Sequence, residues 1–399
     1  MNPTATGRVW PPAALRHWLA NGLALTLCSY FLAREHAQLQ SVFIALVLIP
    51  WLLSLPWRGV RFRWSDPADL LILLVPLWLA SAVLWSVDSD PREWRRFASF
   101  ALYTVCVLMV PRVLLTWFPR REKELLQFLS VAAVVGAIIA LGAYFHRFGL
   151  QLPRMEPEGL LHRPIRAAML YGAVTVVLMW LLLRAETPMH AGFYSVAMMP
   201  PLAIVLLSKS RGPLAALLIV SAWMIWRHGR GDRRWLWPVA MAGLAFAVLA
   251  GTTDLLPRLF SRDLLFISYR DEIWDSVLSA ISADPWFGTG VSSRNDVMVD
   301  SGMVFSHSHN FVLSTWRFSG LVGVVLLLTQ LGLALFGGYK GERGNRGVWS
   351  ALLLFGVLCL STNGSYPLSR PVEAWFVYWL PIGFLLAYRV LPSTPRHTQ

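Results

Sequence analysis

The run FSHSHNFVLSTWRFSGLVG, residues 305–323, sets two histidines one residue apart where a polar segment gives way to a long apolar one. Three kinds of chemistry suit His307 and His309. Residues i and i+2 of an extended segment point the same way, so the pair could share a metal ion. A metal needs further ligands, and the chain offers no HExxH, no Cys/His cluster and no Asp-rich loop to supply them. Alternatively, Ser306, Ser308 or Asn310 caps the helix that the apolar run predicts, and the histidines are incidental. Third, imidazole, with an ordinary pKa of about 6.5, suits proton transfer near neutrality. A helix N-terminus would lower that value, and a neutral ring can take a proton from a hydroxyl.

Arginines supply the complementary charge. Arg211 lies in SKSRGPL (208–214), at the start of one predicted helix, and Arg270 opens another, RDEIWDSVLSAIS (270–282). The guanidinium fork grips phosphate oxygens two at a time and stays charged. Helix starts add free N–H groups that welcome anions. The plainer reading of each is an interfacial arginine reaching toward lipid headgroups. Arg163, Arg166, Arg294 and Arg317 are weaker candidates still, the first two for contacts to donor or acceptor. A base beside arginines at a membrane face fits one reaction class: a hydroxyl attacks a carbon whose leaving group is a phosphate. If arginines neutralise the leaving pyrophosphate, no metal and no cofactor are required. Glycosyl transfer from a lipid-linked donor has this form.

The elements that must hold these residues are membrane spans. The 399 residues are 56% hydrophobic and only 14% charged, against about 45–50% and about 25% in ordinary globular domains. Runs of about 20 apolar residues predict an all-α polytopic membrane protein with spans near 14–33, 39–57, 68–86, 97–116, 125–145, 164–183, 190–208, 212–227, 235–252, 309–338, 347–362 and 372–391. That is about twelve helices in one integral membrane domain covering 1–399. The pair around 190–227 is the least regular, because Pro200-Pro201 interrupts its first member. The first apolar stretch follows Arg8 and Arg16 as a signal peptide would, but the spans after it favour a retained helix. Many of the 20 tryptophans, Trp57, Trp64, Trp94 and Trp117 among them, flank apolar runs as an interfacial belt does.

The net charge of +13 comes from arginines scattered between spans, which orient helices and meet anionic lipid. With no basic run and no nucleic-acid motif, nucleic acid is not an expected partner. The clusters at 58–63, 119–123 and 227–234 favour a cytoplasmic N-terminus. Cys28, Cys106 and Cys359 sit in separate apolar runs, without paired spacing. One connection is long and polar, 253–308, between predicted spans nine and ten, and on this topology it is periplasmic. Within it, Ile273, Trp274, Val277, Leu278 and Ile281 share a helical face, so a short amphipathic helix near the membrane surface is expected.

His309-Asn310, nine residues, Gly320, two residues and Gly323 resemble the signature of O-antigen ligases, His-(Asn/Ser/Gln)-x9-Gly-x-x-(Gly/Thr/Tyr). The preceding YRDEIWDSVLSAISADPWFGTG (269–290) is similar to the segment before that histidine in the family, with Arg270, Trp274, Pro285, Gly288 and Gly290 in matching places. SKSRGPL resembles the family's Ser-Arg-Gly turn before a span. The resemblance is motif-level over about 208–323 and architectural elsewhere.

The resemblance implies a donor glycan on undecaprenyl pyrophosphate, an acceptor sugar hydroxyl on lipid A–core, and metal-independent transfer with inversion. It implies further a multi-pass protein of the Gram-negative inner membrane with its site facing the periplasm. His309 would be the base, and Arg211 and Arg270 would hold the pyrophosphate. Asn310, Gly320 and Gly323 would position the base and let the helix pack closely, while His307, outside the signature, would support. O-antigen polymerases share these motifs in part and use the same donor. Protein O-oligosaccharyltransferases share them too but usually carry an extra periplasmic domain. A lipid or solute transporter is the alternative of another class; it would place charges inside spans and show repeated halves, neither of which this chain displays.

Overall fold

Proline and a short polar side chain open several of the helices. Asp66 accepts from the amide of Ala68 at 3.0 Å ahead of Pro67, and Asp90 accepts from Arg92 and Glu93 ahead of Pro91. Thr187 accepts from His190 ahead of Pro188. Proline at the first helical position lacks only an N–H that has no intrahelical partner, and each cap contributes about 1 kcal/mol. The computed structural model describes residues 11–57, 62–87, 89–119, 121–149, 151–228, 269–292, 296–299, 302–336 and 345–390. In chain order its helices are α1 (Ala13–Leu32), α2 (His36–Ser54), α3 (Pro67–Trp85), α4 (Pro91–Trp117), α5 (Arg121–Phe148), α6 (Pro164–Leu183), α7 (Pro188–Leu207), α8 (Arg211–His228), α9 (Arg270–Ala283), α10 (Phe311–Phe336), α11 (Arg346–Asn363) and α12 (Leu380–Val390).

The protein is an all-α polytopic membrane protein. Among the described residues eight helices are long and apolar enough to cross a membrane: α2 to α7, α10 and α11. Helices α1, α8 and α12 also fall on expected spans, whereas the expected span 235–252 lies outside the described residues. Helix α7 runs through Pro200-Pro201 without ending. Helix α5 carries a stripe of exposed Phe128, Val131, Val135, Ile138 and Ile139, which is the face a hydrocarbon solvent would cover. Helix α6 is the most enclosed span and packs on α7, α8 and α11.

Polar ties secure the bundle. The buried Arg112 Nη1 pairs with Asp69 Oδ2 at 2.8 Å. Glu122, at the start of α5, accepts from Trp349, Tyr388 and Asn345. Trp349 stacks flat on Phe384, the two rings 3.7 Å apart. Cys106 and Cys359 are free and buried, as small hydrophobes, and Cys28 is free and half-buried.

The amphipathic helix expected at 270–282 is present as α9. Ile273, Val277 and Ile281 are buried against the hairpin of β1 (Val297–Met298) and β2 (Val304–Phe305), but Leu278 is exposed. Helix α10 is not the uninterrupted span expected: Gly320, at φ 68° and ψ −175°, breaks it.

Candidate active site

The turn SKSRG brings the first arginine into place. Ser208 Oγ donates to Val205 O, Lys209 takes φ 50°, and Lys209 Nζ donates to Leu152 O at 2.9 Å. Arg154 Nε donates to Ser208 O at 3.0 Å from the same neighbouring segment. The turn is therefore clamped, and α8 starts with Arg211 at a fixed position. Gly212 follows because space demands it: a Cβ there would sit 2.7 Å from Thr362 Oγ1 and 2.8 Å from Asn363 Nδ2. The start of α8 thus rests on the end of α11.

The second arginine arrives at the same asparagine. Arg270 Nη2 donates to Asn363 Oδ1 at 3.2 Å. Burial and then the charge of Arg211 lower the pKa of Arg270, as two guanidiniums brought close in partial shelter must do. Like charges repel, so such a pair is held together only by its surroundings and gains most from a dianion between the two groups.

The histidine segment is pinned next to it. Trp274, one helical turn beyond Arg270, donates its indole N–H to Ser308 O at 3.0 Å. Asn310 caps α10, its Oδ1 accepting from Val312 N at 2.9 Å and Leu313 N at 3.2 Å. Ser308 Oγ bonds Asn310 O and Ser314 Oγ. Capping, one of the sequence alternatives, is therefore done by Asn310 and leaves the imidazole of His309 uncommitted to it.

His309 itself takes φ 55°, which costs a non-glycine residue on the order of 1–2 kcal/mol. Its ring lies 4.0 Å from that of His307, centroid to centroid. Burial and then Arg270 lower the pKa of His309. Burial, His309, Arg163 and Arg166 bring His307 down to about 4. The charges acting on the two rings differ: Arg270 on His309, and Arg163 and Arg166 on His307.

Beyond them opens a cavity of about 500 Å³, lined by both histidines, Asn363, Tyr366, and the arginines 96, 154, 163 and 166, with Glu373 the single carboxylate among its lining residues. Arg166 is engaged in the wall, its Nε 3.2 Å from Glu373 Oε1 and its Nη1 3.0 Å from His36 Nε2. Arg96 and Arg163 come from the N-terminal ends of α4 and α6, and His309 precedes α10. These are even-numbered spans in the sequence count, so one end of the bundle collects residues that the alternation had put on one side.

The glycines explain the break in α10. At Gly320 a Cβ would strike the backbone of Trp286 and Phe287. The freed helix groups pair with the incoming loop instead: Thr289 N donates to Arg317 O at 2.8 Å, Gly290 N to Phe318 O at 3.2 Å, and Leu321 N to Pro285 O at 2.9 Å. Trp78 Nε1 donates to Ser319 O at 3.1 Å, and a Cβ at Gly323 would meet that same indole nitrogen at 3.3 Å. Arg317 is turned into this loop, donating to Asp296 O at 3.1 Å, and Arg294 lies outside the described residues. Among the described residues no three His, Cys, Asp or Glu side chains gather as a metal site.

A family model described as O-antigen ligase matches residues 195–328, which takes in Arg211, Arg270, His309, Gly320 and Gly323. A protein of Pseudomonas aeruginosa, named O-antigen ligase, is 26% identical over 381 residues, 94% of this chain and 91% of that one. The chain resembles the O-antigen ligase family. The likeness points to a glycosyltransferase-type enzyme of lipopolysaccharide biosynthesis and a multi-pass inner-membrane protein. Asn363, Arg154 and Arg96 lie outside the stretch matched by the family model, and sequence reasoning missed all three. Asn363 stood in plain view as part of the polar end of a span, Ser361-Thr362-Asn363-Gly364, but nothing in one sequence links that end to Arg270.

Proposed function

We propose that the protein is an O-antigen ligase that moves a glycan from undecaprenyl pyrophosphate to a sugar hydroxyl of lipid A–core, on the periplasmic face of the inner membrane. The observation that carries the reading is the place of His309: it lines the cavity with His307 and Asn363, Asn363 accepts from Arg270, and the charge of Arg270 acts on the His309 ring. The donor pyrophosphate binds on the side of Arg211 and Arg270, and the acceptor sugar enters the cavity, where Arg163 and Arg166 line the wall. On this reading 253–308 is a periplasmic loop, and its described residues, Val291, Ser292 and His307 among them, contribute to the cavity wall.

In this scheme the acceptor hydroxyl gives its proton to the His309 ring while its oxygen attacks the anomeric carbon. The bond from that carbon to the pyrophosphate oxygen breaks, and the electron pair leaves with the pyrophosphate, whose charge the two guanidiniums take up. One in-line displacement inverts the carbon. The low pKa of His309 keeps the ring neutral and ready at pH 7.

The test is transfer by the reconstituted protein, without divalent metal, from a labelled undecaprenyl-pyrophosphate glycan to lipid A–core. Label on lipid A–core, lost in His309→Ala, supports the ligase. Label in longer lipid-linked chains makes the protein a polymerase. Flux of donor across the bilayer without a covalent product makes it a transporter.

A further inference from the structure

We infer that His307 is a positioning residue whose Nδ1 accepts the backbone N–H of His309 and thereby holds that residue in the left-handed conformation that aims its ring. The inference rests on the proposed role of His309. The bond is 3.2 Å long, N to Nδ1, and the residue it holds is at φ 55°. A ring nitrogen that accepts a hydrogen bond carries no proton, so His307 is the neutral Nε2–H tautomer. Protonation of Nδ1 would break the bond and put a second charge beside a ring 4.0 Å away. The surroundings oppose that protonation. Arg163, Arg166 and His309 act on His307, and among the described residues only one carboxylate, Glu373, lines the same cavity, where it is paired with Arg166. Trp274 holds the same peptide through Ser308 O, so both polar groups of the peptide that enters the strained residue are tied.

Asparagine separates this role from bulk, charge or proton transfer. Its Oδ1 stands the same number of bonds from Cα as Nδ1 of histidine, whereas the amide of glutamine reaches one atom further. The expected order of kcat is wild type, then His307→Asn within about threefold, with His307→Gln, His307→Phe and His307→Ala lower by tenfold or more. The donor KM should stay within about twofold throughout, because Arg211 and Arg270 are untouched. The acid limb of the pH profile should remain in His307→Asn, which cannot titrate at that position. Phenylalanine or glutamine matching asparagine would overturn the inference, and so would an asparagine variant as slow as the alanine one. Amounts in the membrane fraction and melting temperatures are compared for all four. If alanine or phenylalanine fails to accumulate, the asparagine–glutamine comparison still decides. Full activity in His309→Ala would instead remove the base on which the inference stands. Loss in His309→Ala together with equal rates for asparagine and phenylalanine would remove the inference alone.

Discussion

The indole nitrogen of Trp274 and the carbonyl oxygen of Ser308 are 3.0 Å apart, joining the helix that begins with Arg270 to the segment that carries His309. The proposed anion-holding group and the proposed base are thus set by one short connection. Trp274→Phe keeps the ring in place and removes the N–H. A net bond of about 1 kcal/mol corresponds to about a fivefold rate difference, so kcat should fall by about that factor while the protein accumulates normally. Steady-state turnover on reconstituted enzyme checks it, and an unchanged kcat would show that the connection does not position the base.

Asn363 receives Arg270 with a neutral oxygen. Asn363→Asp would supply a carboxylate in its place, and an ion pair there would compete with the donor's phosphates. Hydrogen bonds to charged groups are worth about 1.5–3 kcal/mol, so the donor KM should rise about tenfold or more, with the acceptor KM little changed. Measuring the two KM values separately tests it.

The pH dependence has a definite sign. Burial and Arg270 lower the pKa of His309, so the neutral ring survives below the ordinary histidine value. Transfer should be flat from pH 7 upward and fall only at acid pH, below about 6.5. Arg270→Gln removes a nearby positive charge, which raises the pKa of His309 and moves the acid limb to higher pH. A pH–kcat profile at saturating donor reads both; a limb that moved to lower pH would contradict the assignment.

Gly320→Ala places a side chain at φ 68° against the backbone of Trp286 and Phe287. Strain and overpacking together predict a loss of about 2–5 kcal/mol. Gly332→Ala in the same helix meets nothing within 4 Å and should leave stability near wild type. Thermal unfolding of the two variants in one detergent provides the comparison.

Periodicity made the spans and α9 legible, because burial of apolar side chains dominates both. The α9 boundary was expected at 270–282 and is found at Arg270–Ala283. Spacing alone could not show the break at Gly320, since an apolar run looks the same whether or not a loop from elsewhere fills the gap. The β1–β2 hairpin was equally hidden: its strands are two residues each, too short to show alternation. In the candidate site, the histidine and the two arginines were marked by chemistry and local pattern. Asn363, about ninety residues from Arg270 by the 93-residue separation of their bond, was not, because only tertiary packing joins them.

The socket that Gly320 opens in α10 also fixes an order of events during synthesis. The segment 285–291 leaves the ribosome before residues 311–323, yet its backbone partners include Arg317, Phe318, Leu321 and Val322, with Ala82 and Asp284 the earlier ones. Until α10 has entered the membrane, that loop has little to dock upon, and the wall it would complete stays open. A nascent chain therefore lacks most of this loop's backbone partners until residues 317–322 have been made.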